Sequence, residues 1–237
     1  MEEQVKFKKL LQEVQERKVW QSIGRAKKDI DINQCLEFIE AIGKTRTPNF
    51  VIDEDNRFVY ENFVKWLTYD ETLKALDPNT NEIINGDCHK GIYIAGYTGT
   101  GKSWCMEIML AFASAIKFNI KIGNNVGVMW WKIVRADDIV SHFIETTSIE
   151  EFKRHKILCI QDFGTEPLEA VSMGNRLNVI RTLLESRGDD GSCLTFITSN
   201  IPINHNGITE KYGERVASRL YQMCNYYELK GQDRRIK

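Results

Sequence analysis

The sequence has no long apolar run, no paired-cysteine motif, no histidine cluster and no excess of charge of either sign. Each absence removes a class of function. No stretch approaches the length of a membrane span, and the opening residues lack a signal peptide's apolar core, so a cytoplasmic protein is expected, without membrane contact. Formal net charge is −1, so any nucleic-acid surface must be a local patch. The six cysteines include no C-x-x-C pair and several fall in apolar patterns, which fits buried free thiols in a reducing compartment. The four histidines show no ligand spacing with each other or with the cysteines, which argues against zinc. What remains is 237 residues, 42% apolar and 27% charged, with room for one sizeable soluble domain and a small appendage.

Against this unremarkable background one stretch stands out. An apolar strand, Ile92 to Ile94, runs into Gly96-x-x-x-x-Gly101-Lys102-Ser103, and an apolar helix is predicted from about Lys102 to Lys117. Strand, glycine turn and helix together form a phosphate-binding loop. The glycines let successive backbone N–H groups point at one anion, and the helix N-terminus adds its partial positive charge. The nucleotide-binding candidates are Gly96, Tyr97, Thr98, Gly99, Thr100, Gly101, Lys102, Ser103 and the following Trp104. Lys102 is expected to reach the β- and γ-phosphates, and the Ser103 hydroxyl to ligate Mg²⁺. ATP with Mg²⁺ is the cofactor set this implies.

Residues 1 to 47 read as a polar, helical extension. Phe7, Leu10, Leu11, Val14 and Trp20 recur at helical spacing, Gly24 and the basic run after it break that helix, and Asp31 caps a second one that Gly43 ends. This extension either packs on the core or forms a partner-binding module, and 48–237 is expected to be the main domain. A helix carrying Phe63, Val64, Trp66 and Leu67 follows, then turns at Asp77 to Asn81. After the phosphate loop, strands and helices alternate: strand Val126–Val134, helix Ala136–Glu145, short helix Ile149–His155, strand Ile157–Ile160, helix Asn175–Arg187, strand Leu194–Ser199, helix Thr209–Met223 and strand Tyr226–Leu229. That order predicts a three-layer α/β fold with a parallel sheet. Trp130 and Trp131, adjacent on one predicted strand, are expected to face opposite sides of the sheet, each under helices.

Three further stretches complete a nucleotide site. The strand Ile157–Ile160 leads to Asp162, with Glu166 just beyond, as candidates for holding Mg²⁺ and orienting water. The strand Leu194–Ser199 ends at Asn200, an amide placed to contact an attacking water and the γ-phosphate. Arg215 and Arg219 lie four apart and share one helix face, either solvated or reaching a neighbouring subunit.

Together with Leu229-Lys-Gly-Gln-Asp-Arg-Arg235, these motifs resemble the DnaC/IstB-type AAA+ ATPases over about Phe50 to Arg235. The tyrosine-glycine-acid-arginine helix at Tyr212 to Arg215 and the Gly231-x-Asp233-x-Arg235 tail are the more particular marks; the phosphate loop is widely shared. The resemblance implies Asn200 as sensor 1, Arg219 as arginine finger with Arg215 sharing that role or holding the interface, and Arg235 rather than Arg234 as sensor 2. It implies a minimal form without a separate helical lid, an ATP-dependent ring or spiral of identical subunits, and a replicative helicase and single-stranded DNA as partners. Basic candidates for DNA contact are Lys27, Lys28, Lys117, Lys121, Arg135 and Lys153.

One departure bears on catalysis. The family carries two adjacent acids where this chain has Gln161-Asp162. Aligned on Gly164-x-Glu166, Gln161 takes the metal-holding place and Asp162 the water-orienting one. Alternatively Asp162 takes the metal, leaving Glu166 or Asn200 to order water. A slow ATPase acting as a helicase loader is the expectation; the alternatives are a transposition-accessory ATPase on duplex DNA and a non-hydrolysing adaptor that holds ATP.

Overall fold

The computed structural model describes residues 23–122, 125–172 and 174–235. The expected first helix, with Phe7, Leu10, Leu11, Val14 and Trp20, lies outside the described residues. In chain order the elements begin with β1 (Ile23–Arg25), α1 (Ile32–Arg46), α2 (Arg57–Leu67), β2 (Lys74–Leu76), β3 (Ile83–Asn85), β4 (Gly91–Ala95) and α3 (Lys102–Ile116). They continue with β5 (Asn119–Ile122), β6 (Asn125–Val128), β7 (Lys132–Arg135), α4 (Ala136–Thr146), α5 (Glu150–Arg154), β8 (Ile157–Phe163), β9 (Ala170–Ser172) and β10 (Asn175–Leu177). The last are α6 (Val179–Asp189), β11 (Leu194–Ser199), α7 (Asn206–Tyr212), α8 (Glu214–Met223) and β12 (Cys224–Glu228).

A seven-stranded sheet of order β3-β2-β12-β4-β11-β8-β7 forms the middle layer. The five strands from β12 to β7 are mutually parallel, and β2 and β3 add an antiparallel edge. Strand alternation sorts the apolar residues to two faces. Ile92, Ile94, Cys159 and Phe196 pack with α1, α2 and α3, while Tyr93, Ala95, Leu158, Ile160 and Ile197 pack with α4, α6, α7 and α8. This is the three-layer α/β architecture that the alternation of elements predicts.

Helix caps decide several boundaries. Asp31 accepts from the N–H groups of Asn33 and Gln34, as expected, and starts α1. That helix runs past Gly43 to Arg46, with the Phe50 ring lying against Gly43. Residues 175–187 are not one helix: 170–172 and 175–177 pair antiparallel as β9 and β10, and Asn178 caps α6 by accepting from Arg181 N–H. The predicted helix Thr209–Met223 is two helices, because Gly213 takes φ 87° and ψ 162° between α7 and α8. Sequence reading also missed β1, β2, β3 and β5, all strands of three or four residues.

The run 126–134 is likewise not a single strand. Its first part, β6, belongs to a separate antiparallel sheet of order β1-β5-β6, and the chain re-enters the central sheet only at β7. Trp131 packs into the core, stacked 5.8 Å from Phe63 and edge-on 5.3 Å from Phe196. Trp130, in the connecting loop, is 53% exposed, so it does not pack under a helix as expected. Trp66 is core, as expected, and its indole N–H donates to Lys90 O at 2.7 Å. Arg25 pins β1 to this cluster: its guanidinium lies 3.7 Å from the Trp66 ring centroid and donates to Cys88 O.

One buried cation ties the N-terminal ends of two central strands together. Arg187 donates to Thr195 Oγ1 (2.9 Å), Leu194 O (2.6 Å), Phe152 O (3.0 Å), Lys153 O (3.3 Å) and His155 O (2.7 Å). Burial pulls its pKa below the ordinary arginine value, yet these hydrogen bonds satisfy its donors. Arg187→Met fills the volume but leaves four carbonyls, those of Phe152 and Leu194 in buried contacts, short of a donor. A loss of about 3 kcal/mol is expected, seen as a Tm lower by roughly 6–12 °C in thermal unfolding.

Candidate nucleotide-binding site

The phosphate loop leaves β4 at the C-terminal edge of the sheet and enters α3, where the N-terminal N–H groups of the helix lack intrahelical partners. Gly99 and Gly101 take φ values of 83° and 95°. Thr100 is buried and closes the loop by donating from Oγ1 to Tyr97 O at 2.9 Å. The Tyr97 ring points outward and is 82% exposed.

Lys102 sits at the centre. Its ammonium donates to Gly96 O (2.7 Å), Tyr97 O (2.8 Å) and Asn200 Oδ1 (2.7 Å), so the loop, the helix start and the end of β11 meet at one cation. Burial pulls its pKa down, Asp162 opposes that shift, and Arg235 adds to it. Around it lies a cleft of about 260 Å³ lined by Thr98, Gly99, Gly101, Lys102, Ser103, Trp104, Asp162, Asn200, Arg234 and Arg235. Most of the predicted site residues are thus brought together. An anion fits this cradle, because a buried cation and a helix N-terminus face it.

The tail forms one wall. Leu229 N–H donates to Ala95 O and Arg234 N–H to Gly99 O, at 2.8 and 3.0 Å. A Cβ on Gly99 would fall 2.0 Å from Asp233 Cγ, so only glycine admits this approach. Arg234 is held by Asp53 in a two-pronged contact at 2.9 and 2.7 Å, whereas Arg235 pairs with Asp233 at 2.7 Å beside the cleft. The half-buried Arg234 is thus committed to structure.

A strand irregularity sends Gln161 and Asp162 to different surroundings. Ile160 pairs with Ile197 and Phe163 with Ser199, so the register shifts between them, and Asp162 takes φ 54°. Asp162 lines the cleft, and its Oδ2 lies 3.1 Å from Arg135 Nη1. Gln161 is buried, and its amide donates to Ser103 O at 3.5 Å. Sequence reading placed Arg135 among basic candidates for DNA and missed its place beside Asp162. The signal was there: β7 runs parallel to β8, and Arg135 pairs with Gln161 across them.

Glu166 does not reach the cleft. It is 3% exposed, accepts from Gly164 N–H at 2.9 Å and from the Tyr212 hydroxyl, and lies 3.6 Å from the Lys211 ammonium. Its carboxylate braces the end of β8 against α7, so the expectation that it orders water is corrected. Arg215 and Arg219 share a face, as predicted, and both bind Asp189 at the end of α6, Arg215 at 2.8 Å. Neither lines the cleft of its own chain.

Among the described residues, no group of three or more His, Cys, Asp or Glu could hold a metal ion, and no helix is long and apolar enough to cross a membrane. The cysteines are free, and burial pushes the Cys105 and Cys224 thiols up to about 12.

No model of a known protein family matches the sequence, and no curated protein matches it. Solved structures do. A candidate primosome component from Streptococcus pyogenes serotype M3 has a TM-score of 0.51 at 18% identity, covering 77% of this chain and 83% of that one. DnaI gives 0.49 at 17% identity, over 76% and 87% of the two chains. The DnaC helicase loader gives 0.49 at 16% identity, over 78% and 95%. At these identities the likeness is one of fold. The shared fold is the three-layer α/β P-loop arrangement with a parallel sheet that the sequence predicts.

Proposed function

We propose that this chain is an ATP-binding AAA+ protein that engages a replicative helicase and single-stranded DNA, with slow hydrolysis resetting it. The observation that carries the reading is the meeting of Lys102, Asp162, Asn200 and Arg235 in one cleft at the C-terminal edge of a parallel sheet. Such a cleft suits a nucleotide whose phosphates replace the Gly96, Tyr97 and Asn200 oxygens on the Lys102 ammonium. When bound, ATP with Mg²⁺ supplies the hydrolysable phosphate bond. Ser103 and Asp162 would hold Mg²⁺, which takes oxygen ligands. Asp162 rather than Gln161 takes that role, because Asp162 faces the cleft. Asn200, released from Lys102, would orient water, and Arg235 would contact phosphate from the tail.

Arg215 and Arg219 then serve a neighbouring subunit in a homo-oligomeric ring or spiral. Residues 1–47 form the helicase-contacting module, and the setting is the cytoplasm. The streptococcal neighbour's description as a primosome component is consistent with this reading. A second reading, a non-hydrolysing adaptor, is favoured by one specific observation: Arg135 already neutralises Asp162, and Gln161 contributes no charge.

Phosphate release from ATP, with single-stranded DNA, with duplex DNA and with neither, separates these. Turnover that rises with the single strand and vanishes in Lys102→Ala is expected. Tight ATP binding without turnover in any arm would sink the hydrolysing reading in favour of the adaptor, and stimulation by duplex alone would favour the transposition-type ATPase.

A further inference from the structure

The small sheet β1-β5-β6 has no part in the nucleotide site. Its central strand β5 begins three residues after α3, whose fifteen residues carry the chain about 22 Å from the phosphate loop. Register places Gly24, Asn119, Lys121, Val126 and Val128 on one face, and Ile23, Arg25, Ile120 and Ile122 on the other. The second face is anchored to the core at Ile23, Arg25 and Ile120, all buried. The first face is open, with Lys121, Val126 and Val128 exposed, and on the second face a Cβ at Gly127, opposite Ile120, would meet nothing within 4 Å.

Between β6 and the start of β8 runs a groove of about 320 Å³. Ile120, Ile122 and Ile157 give it apolar walls, and Trp130, His155 and Lys156 stand around it. The Trp130 ring lies 6.3 Å from that of His155. A single exposed tryptophan is ordinary. This one stands in a stretch of unusual charge: residues 108–136 contain Lys117, Lys121, Lys132 and Arg135 and no Asp or Glu, in a chain of net charge −1. Glu151 stands nearby, 3.9 Å from His155 Nε2.

We propose that single-stranded nucleic acid binds in this groove and passes round the edge strand β6 onto the open face, with Trp130 as a stacking platform for a base, Lys132 contacting the backbone on the groove side near His155 and Lys121 contacting it on the other face. An exposed aromatic beside lysines is the combination that binds single strands without reading sequence. The alternative occupant is a protein strand added to the edge of β6. It is less suited, because β6 offers only four residues with Gly127 in the middle. The proposal deepens the functional reading above by giving its DNA partner a place on the molecule, remote from the nucleotide cleft.

The test is fluorescence anisotropy with a labelled 20-nucleotide oligo(dT), using the full chain with ATP. Trp130→Ala is expected to weaken binding about tenfold and Trp130→Phe to recover most of it. The double variant Lys121→Ala/Lys132→Ala is expected to flatten the slope of log K against log salt by about 1.4. Basal phosphate release stays unchanged in all three. Wild-type binding that none of the variants alters overturns the proposal and leaves the functional reading standing. No binding of oligo(dT) by the wild type overturns both. Unaltered oligo(dT) binding together with loss of helicase binding in Trp130→Ala would assign the groove to protein instead.

Discussion

Lys102→Ala is expected to weaken ATP binding by about a hundredfold or more, equivalent to at least ~2.7 kcal/mol. The side chain provides three charge-assisted hydrogen bonds to oxygens, at 2.7 to 2.8 Å, from a largely buried ammonium. Each such bond to a charged group contributes about 1.5–3 kcal/mol when fully formed, so losing all of them to phosphate dominates other losses at the loop. Burial lowers the pKa of Lys102 because no full negative charge touches it, Asp162 only opposing the shift from a distance. A polyphosphate placed there reverses the imbalance, so binding energy is concentrated on this one group. The free protein should tolerate the change, since alanine removes a desolvated cation along with its bonds. The measurement is the ATP-induced rise in Tm. For the wild type at a hundred times Kd it corresponds to about 2.7 kcal/mol, and for the variant at the same concentration to about 0.4 kcal/mol or less. Equal shifts in the two proteins would show that the phosphates do not sit on Lys102.

Why this cleft was legible in the sequence, and its neighbour less so, follows from how each is encoded. Gly96 to Ser103 is a local signal: turn glycines, a cation and a helix start, all within eight residues and flanked by periodic apolar segments. Asn200 was found because parallel strands end on the same edge, so the end of β11 had to lie beside the end of β4. The Gln161-Asp162 question could not be settled by spacing, because the answer depends on a register shift and a left-handed residue at Asp162. Glu166 was misread for a different reason. Its partner Tyr212 is 46 residues away, and only packing of α7 against the end of β8 brings the hydroxyl onto the carboxylate. The Trp130–Trp131 pair shows the same limit at the level of a strand. A mostly apolar run, interrupted only by Gly127 and Lys132, spans 126–134, but the small sheet takes the first part of it. Helix ends set by a polar side chain, such as Asp31, were readable; Asn178, inside an apparently continuous helical stretch, was not.

Arg219→Ala is expected to lower phosphate release by about a thousandfold, to the limit of detection for a slow enzyme, while ATP binding remains within about threefold of wild type. In the single chain Arg219 is held by Asp189 and by Gln222 Oε1 at 2.9 Å, on a helix face that does not open on its own cleft. A finger stored this way costs little to release, since an exposed ion pair is worth about 0–1 kcal/mol. Asp189→Asn should therefore leave turnover intact or raise it, whereas a structural role for the pair would lower Tm and turnover together. Arg215 shares the same carboxylate and is the more exposed of the two, so Arg215→Ala is the necessary companion. The decisive experiment mixes Lys102→Ala subunits, which keep the arginine, with Arg219→Ala subunits, which keep the phosphate loop. On random assembly roughly a quarter of adjacent pairs join an intact loop to an intact arginine, because head-to-tail contacts repeat around a ring or spiral. Turnover in the mixture near that fraction, with neither variant active alone, places Arg219 in the neighbour's site. An inactive mixture that still assembles would instead confine Arg219 to its own subunit, leaving Arg235 as the arginine facing the nucleotide.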